Sequence, residues 1–422
     1  MKKSLSHTTF WTAGSTLIKI LGGLLIMKLI AVYFGTEGVG RAANYMTLLT
    51  VLGVFAGAGI FNGVTKYVAQ YEDDRQKLNE MLGTASSIIL IFSFCLAAIG
   101  LFFADVIALF IFSKDGYRTV IRVLAIAQLG IALGNYLLAI LKGKRDAKNH
   151  AIAVIAGMLI GVILFVSMMY FGQYTGALIG LALVPAITLL PAYDSLKKCG
   201  QNSTDFISLL KPNWHSWQAK KLFTFSLMVF TTAVTIPLAY IQMRNWLEGA
   251  RSIHEVGLWQ GISKISDAYL QFITAAFSVY LLPTLAKLTE KSDERAEIFK
   301  ALKFVFPVTL AVSIVVYLCR SLIIRLLFSE QFLDMNELFI WQLIGDVFKV
   351  STYIFGYLLV AKAALSIYIL GELVQCILLL GLASYLIPAY GVVGATQSYM
   401  LAYMLYFGLC LGVFWFYGRE IK

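Results

Sequence analysis

Long apolar runs, most of them 20 residues or more, alternate with short polar breaks along nearly the whole chain, and the charged residues collect mainly in the breaks. At 1.5 Å of rise per residue, such runs fit helices that cross a hydrocarbon layer ~30 Å thick. Twelve helices are expected at about 8–34, 39–69, 78–104, 118–141, 147–170, 175–197, 219–244, 253–284, 298–318, 334–361, 364–386 and 392–415. A membrane β-barrel would show weaker alternating segments of roughly 10 residues. The expected fold class is an all-α polytopic membrane protein.

Composition supports this reading. Of 422 residues, 59% are hydrophobic and only 14% charged, with mean hydropathy +0.79, too apolar for an ordinary soluble domain. The start, Met1–Phe10, has the basic character of a signal peptide, but the apolar run continues past it without a small-residue cleavage site and contains Lys19. The first segment is therefore expected to be a retained membrane helix. Cys95, Cys199, Cys319, Cys376 and Cys410 have no paired spacing and imply neither a disulfide scaffold nor a metal site.

The net charge is +11, and its distribution carries orientation. With the N-terminus in the cytoplasm, twenty bases fall on that side, against seven on the other: Lys114, Arg118, Arg122, Arg244, Arg251, Arg320 and Arg325. Both termini are then cytoplasmic and the number of spans is even. Bases placed at helix ends set orientation, so no nucleic-acid partner is expected.

The two halves resemble each other. Leu109–Ser113 matches Arg325–Ser329, Gln128–Gly130 matches Gln342–Gly345, Gly176–Ala177 matches Gly394–Ala395, and Val39–Gly40 matches Val256–Gly257, at offsets of about 215–218. A duplicated six-helix unit follows, with both copies in the same membrane orientation. The expected division is an N-terminal lobe over 1–205, a cytoplasmic interfacial linker over 206–218 with Trp214 and Trp217 near the headgroups, and a C-terminal lobe over 219–422.

Charges inside apolar segments are the candidate chemistry, because they are costly unless they face water, protein or a ligand. Lys19 lies mid-helix with no acid in its own segment. Lys28 follows nine residues later, about half a turn out of phase, so the two do not share one face of a straight helix. Arg41 opens the second helix and offers a planar fork to an anionic group or an anchor at the interface, and Lys66 reads as an inner-interface lysine. In the second half Lys264 and Asp267 are three apart, and Asp346 and Lys349 repeat that spacing. Each pair is either a structural ion pair or part of a network that exchanges partners during transport. Glu372 is mid-helix, with Lys349, Lys362, Lys264 or Gln375 as prospective partners.

Asn62, Asn135, Gln128, Gln271, Gln342 and Gln397 add polarity that binds sugars or joins helices, and Trp259, Trp341, Tyr269 and Tyr353 either stack on a sugar or pack. His7, His150, His215 and His254 form no coordination set, and no nucleophile–base pair accompanies them. No covalent chemistry and no cofactor are expected.

The blocks Leu29–Gly35, Leu52–Tyr71, Ile265–Leu285 and Trp341–Asp346 with Lys349 resemble the Wzx polysaccharide flippase family of the multidrug/oligosaccharidyl-lipid/polysaccharide exporter superfamily. Within it the likeness is to the branch that handles lipid III of enterobacterial common antigen. The resemblance covers nearly the whole chain. It implies a V-shaped pair of six-helix lobes in the bacterial inner membrane that carries an undecaprenyl-pyrophosphate-linked trisaccharide to the periplasmic leaflet by alternating access. The common-antigen polymerase and chain-length regulator are the implied membrane partners. Against such a cargo, Lys19, Lys28, Arg41, Asn62 and Lys264 are the expected substrate-binding residues. Asp267, Asp346, Lys349 and Glu372 are the expected ion-coupling or gating residues, with proton-motive force as the driving gradient. An O-antigen repeat-unit flippase, a cation-coupled drug exporter and a membrane-assembly scaffold remain as alternatives.

Overall fold

A computed structural model describes residues 5–114, 116–199, 211–288, 290–362 and 364–417. The expected lobe boundary at 205–206 and the terminal bases Lys2, Lys3, Arg419 and Lys422 lie outside these residues. Among the described residues, all regular structure is helical. In hydrocarbon every backbone N–H and C=O needs an internal partner, and a helix supplies them within one segment. Among the described residues, seven helices are long and apolar enough to cross a membrane. Large side chains such as Phe102, Tyr170, Phe171, Leu318 and Ile377 point outward with at least two thirds of their surface exposed, as a lipid-facing surface requires.

The chain divides into two compact units, Met1–Ile26 with Asn44–Ala233 and Met27–Ala43 with Val234–Lys422. Helix α1 (Leu5–Phe55) contributes to both and leaves helical geometry at Gly35, inside the break expected between 34 and 39.

The first unit also contains α2 (Phe61–Gln70), α3 (Arg75–Phe102), α4 (Ala104–Phe112), α5 (Arg118–Gly143), α6 (Ala147–Ile187), α7 (Leu189–Cys199) and the first half of α8 (Ser216–Ala250). The helix expected over 39–69 is interrupted at 56–60, where Ala58 and Gly59 have φ of +50° and +66°. A side chain at Gly59 would press on the Ser226 backbone, so glycine allows both the turn and the approach. The interruption is sealed by Ser93 Oγ, which donates to Ala56 O at 3.0 Å, while Gln128 Nε2 donates to Ser93 O at 2.6 Å. Around it pack Ile60, Val64, Met81, Ile88 and Leu137, with Tyr136 Oη donating to Leu82 O at 2.9 Å. Asp74 caps α3 through Lys77 N and pairs with Lys77 Nζ at 2.8 Å; those hydrogen bonds hold its carboxyl below the usual carboxylate range. The described part of the linker is pinned to α3, since Asn213 N donates to Gly83 O and Thr84 Oγ1 to Asn213 O. Trp214 and Trp217 are about half exposed.

The second unit contains the rest of α8, then α9 (Ile253–Ala276), a π turn (Phe277–Leu281), α10 (Leu282–Lys287), α11 (Lys291–Leu318), α12 (Arg320–Leu327), a 3-10 segment (Glu330–Leu338), α13 (Phe339–Ala361) and α14 (Leu365–Tyr417). Its core is Leu270, Phe277, Leu281, Leu285, Ile298, Val350, Ile354 and Phe355. Here α1 and α9 cross with no room for side chains. A Cβ on Gly40 would overlap Ile253 O, and one on Gly257 would overlap Thr36 O. The two contacts exchange under one offset of 217 residues, which takes Gly40 to Gly257 and Thr36 to Ile253, so the crossing repeats itself about a local pseudo-two-fold.

The duplication seen in the sequence recurs in the backbone of each unit. Gln173 in α6 has φ, ψ of 51°, −133°, and Gly391 in α14, 218 residues later, has 60°, −134°. A Cβ on Gly176 would overlap Met168 O, and one on Gly394 would overlap Leu386 O. Residues eight apart lie ~12 Å apart in a straight helix, so the chain reverses at Gln173 and again at Gly391. The short helices α4 and α12, ending just before Ser113 and Ser329, are the other matched pair. Glu255 Oε2 accepts Val392 N at 2.7 Å just after the second reversal, and Arg251 donates to Ala389 O just before it.

The two reversals should respond oppositely to mutation. Gln173 holds a conformation that only glycine adopts freely, at a cost of ~1–3 kcal/mol, so Gln173→Gly should raise the thermal midpoint in detergent. Gly391→Ala should lower the midpoint, at a comparable cost of ~1–3 kcal/mol, because the added Cβ is strained and displaces Glu255.

Candidate functional site

A polar interior lies in the second unit, where α8, α9, α13 and α14 converge. Asp346 is fully buried on α13. Its carboxylate accepts Ser266 Oγ at 2.6 Å and Tyr269 Oη from α9, Tyr399 Oη from α14 at 2.6 Å, and Gln342 Nε2 from its own helix at 3.4 Å. Lys349, one turn on, does not make the direct ion pair that its spacing permits. Its ammonium lies 5.3 and 5.6 Å from the ring centres of Tyr399 and Tyr403, a cation–π arrangement. The pairing expected for Asp346 and Lys349 is thus replaced by hydroxyl donors for the acid and aromatic faces for the base. Oriented O–H donors and π faces offset the cost of removing each charge from water.

Lys264 and Asp267 do pair, at 3.6 Å, on a part of α9 where both side chains stay partly open. Glu372 on α14 accepts Thr235 Oγ1 at 3.2 Å. Two of its prospective partners are engaged elsewhere. Gln375 donates to Tyr403 Oη at 2.8 Å, and Lys362 binds Glu294 Oε1 at 2.5 Å and Leu288 O.

Arg244 is buried. Counted among the outer bases, it lies inside α8 and is 6% exposed. Its guanidinium donates to Gln260 Oε1 at 2.9 Å and Ala43 O at 3.5 Å, and it lies 5.7 and 5.9 Å from the rings of Trp259 and Tyr240. Trp259 is therefore a packed core ring, 2% exposed, and Tyr269 is committed to Asp346.

The remaining expected site residues are placed as follows. Lys19 is exposed on the first-unit part of α1, and Asn62 is exposed on α2 one turn before Lys66. Lys28 is half-buried in the second unit. Arg41, also there, pairs with Glu37 at 3.2 Å across one turn, so its fork already holds a carboxylate. Sequence reasoning missed Arg244, Ser266, Tyr240, Tyr399 and Tyr403; the only local signal was the four-residue spacing of the last two tyrosines.

Long apolar helices with lipid-facing surfaces, internal reversals repeated at one offset, and buried charges held by hydroxyls and rings define a multi-pass helical membrane protein. The backbone matches a structure of the lipid II flippase MurJ in an inward closed conformation, with TM-score 0.70 and 15% identity over 96% of this chain and 87% of that one. It also matches an outward-facing multidrug resistance MATE family transporter of the MOP superfamily, with TM-score 0.66 and 12% identity over 98% of this chain and 96% of that one. These likenesses establish the fold. A family model described as polysaccharide biosynthesis protein matches residues 5–289, and the chain belongs to that family. It is 52% identical over 417 residues, 99% of this chain and 100% of the relative, to the protein named lipid III flippase from Escherichia coli (strain K12).

Proposed function

We propose that the chain carries a lipid-linked oligosaccharide across the membrane, and that its cargo is lipid III of enterobacterial common antigen, an undecaprenyl-pyrophosphate-linked trisaccharide. The observation that carries this is the end-to-end identity of 52% with a lipid III flippase. The head group passes from the cytoplasmic to the periplasmic leaflet of the bacterial inner membrane by alternating access, while the polyprenyl tail stays in lipid. No bond is made or broken. The common-antigen polymerase and chain-length regulator receive the product.

Twelve spans follow if the apolar stretches over 5–55, 147–199 and 365–417 are each divided at Gly35, Gln173 and Gly391, and the helices over 216–250 and 253–287 are counted with the others. An even count keeps both termini cytoplasmic and makes the two six-helix copies, with lobes 1–205 and 219–422 and a linker at 206–218, parallel.

The cargo's pyrophosphate and uronic acid need cationic partners. Lys19 supplies one, with Lys28, Asn62 and Lys264 as further contacts to the head group, and Arg41 joins them by exchanging Glu37 for the cargo. Lys264 can exchange Asp267 for the cargo because that pair is partly open. If protons drive transport, Asp267 and Glu372 are the coupling acids, since Asp346 is enclosed by hydroxyls. Normal transport after collapse of the proton gradient in proteoliposomes would exclude a required proton step.

The decisive experiment is complementation of strains with separate common-antigen and O-antigen transport defects. Rescue of the first is expected; rescue of the second alone overturns the cargo. In proteoliposomes, Lys19→Ala should slow flipping of lipid III about tenfold, the loss of one charge-assisted hydrogen bond, while Lys19→Arg retains most of the rate.

A further inference from the structure

A polar cavity of about 470 Å³ lies in the second unit beside the break in α1. Its volume falls in the range of roughly 300–1,000 Å³ that small-ligand sites occupy. None of the residues placed in the cargo pathway above lines it.

The walls come from three parts of the chain. Thr36 and Glu37 are on α1, His254 is on α9 at the position 217 residues after Glu37, and Gln331 comes from the 3-10 segment. Thr36 Oγ1 and His254 Nδ1 are 2.6 Å apart, which fixes the imidazole. Arg41 draws the Glu37 carboxylate to one side at 3.2 Å, leaving that side chain 61% exposed. Gly35 has φ of +65°, and a Cβ there would overlap Gln331 Oε1, so only glycine leaves the amide in place. Tyr33 also lines the cavity and is 67% exposed, an aromatic face beside polar groups.

This lining selects among ligands. The Glu37 carboxylate disfavours a phosphate or another acid. Among the described residues no group of three or more His, Cys, Asp or Glu is placed to hold a metal ion. Donors and acceptors on separate walls, with one open ring, suit a neutral ligand that carries many hydroxyls and has an apolar face.

We propose that this cavity is a saccharide subsite that takes one neutral hexose or N-acetylhexosamine ring. The apolar face of the sugar lies on Tyr33, and its hydroxyl or acetamido groups bond to Glu37, His254 and Gln331. The natural source of that ring as cargo rests on the transport function proposed above, whereas the chemistry of the cavity does not. A free saccharide shares that chemistry.

The test uses the full chain in lipid nanodiscs and saturation-transfer difference NMR with N-acetylglucosamine as probe. Saturation should reach the sugar ring in the unmodified protein. Tyr33→Ala and Gln331→Ala, both at exposed positions, should each weaken binding about tenfold, while Phe171→Ala on the lipid-facing surface leaves it unchanged. Equal signals from the unmodified protein and the Tyr33→Ala, Gln331→Ala double variant would overturn the subsite. Transport of lipid III without Tyr33-dependent saturation overturns the subsite and leaves the transport function standing. Tyr33-dependent saturation without lipid transport does the reverse. Displacement of the probe by lipid III assigns the subsite to the cargo, and its persistence assigns it to a free saccharide.

Discussion

Alanine at Asp346 should lower the stability of the detergent-solubilised protein by ~3–5 kcal/mol, enough to halve the yield of monodisperse material. The deletion leaves the hydroxyls of Ser266, Tyr269 and Tyr399 aimed at an empty site in a dry interior, and each lost acceptor costs ~1–3 kcal/mol. Asp346→Asn keeps an oxygen acceptor and should lose less than half as much. Thermal melting followed by tryptophan fluorescence checks both. An Asp346→Ala protein that melts with the unmodified chain would show that the carboxylate does not hold these three helices together.

Lys362→Ala should cost a similar ~3–5 kcal/mol, because it strands a buried acid. The Glu294 side chain is 4% exposed and bonds Lys362 Nζ at 2.5 Å, and the same ammonium holds Leu288 O at the end of α10. One lysine thus ties together the ends of α10 and α13 and the start of α11. The double variant Lys362→Ala, Glu294→Ala should recover part of the loss, since the stranded charge is gone. A double-mutant cycle on melting temperatures measures that coupling, and strict additivity would refute it.

Much of this architecture was legible in the sequence. The breaks expected near 35, 173 and 390 fall where α1, α6 and α14 leave helical geometry, because apolar periodicity stops there whichever residue makes the turn. The interruption at 56–60 was not legible. Its signal was Gly53, Gly57 and Gly59, and glycines pack membrane helices as often as they bend them. Within the site, the Lys264–Asp267 pair followed from helical spacing alone. The Asp346 cluster did not, because its partners lie 53 to 80 residues away and only tertiary packing brings them together. The burial of Arg244 was not foreseen for a related reason. It lies near the polar stretch at 248–252, where composition suggests an interface, and its burial depends on rings contributed by other turns and helices.

The reversals at Gln173 and Gly391 also constrain how the chain enters the bilayer. A turn made by a single residue leaves no hydrophilic loop to be threaded across ahead of the second arm. On the proposed twelve-span count, each pair of arms, 147–172 with 174–199 and 365–390 with 392–417, is expected to leave the insertion machinery as one hairpin. Glycosylation-site mapping of truncated chains should then find neither arm inserted without its partner.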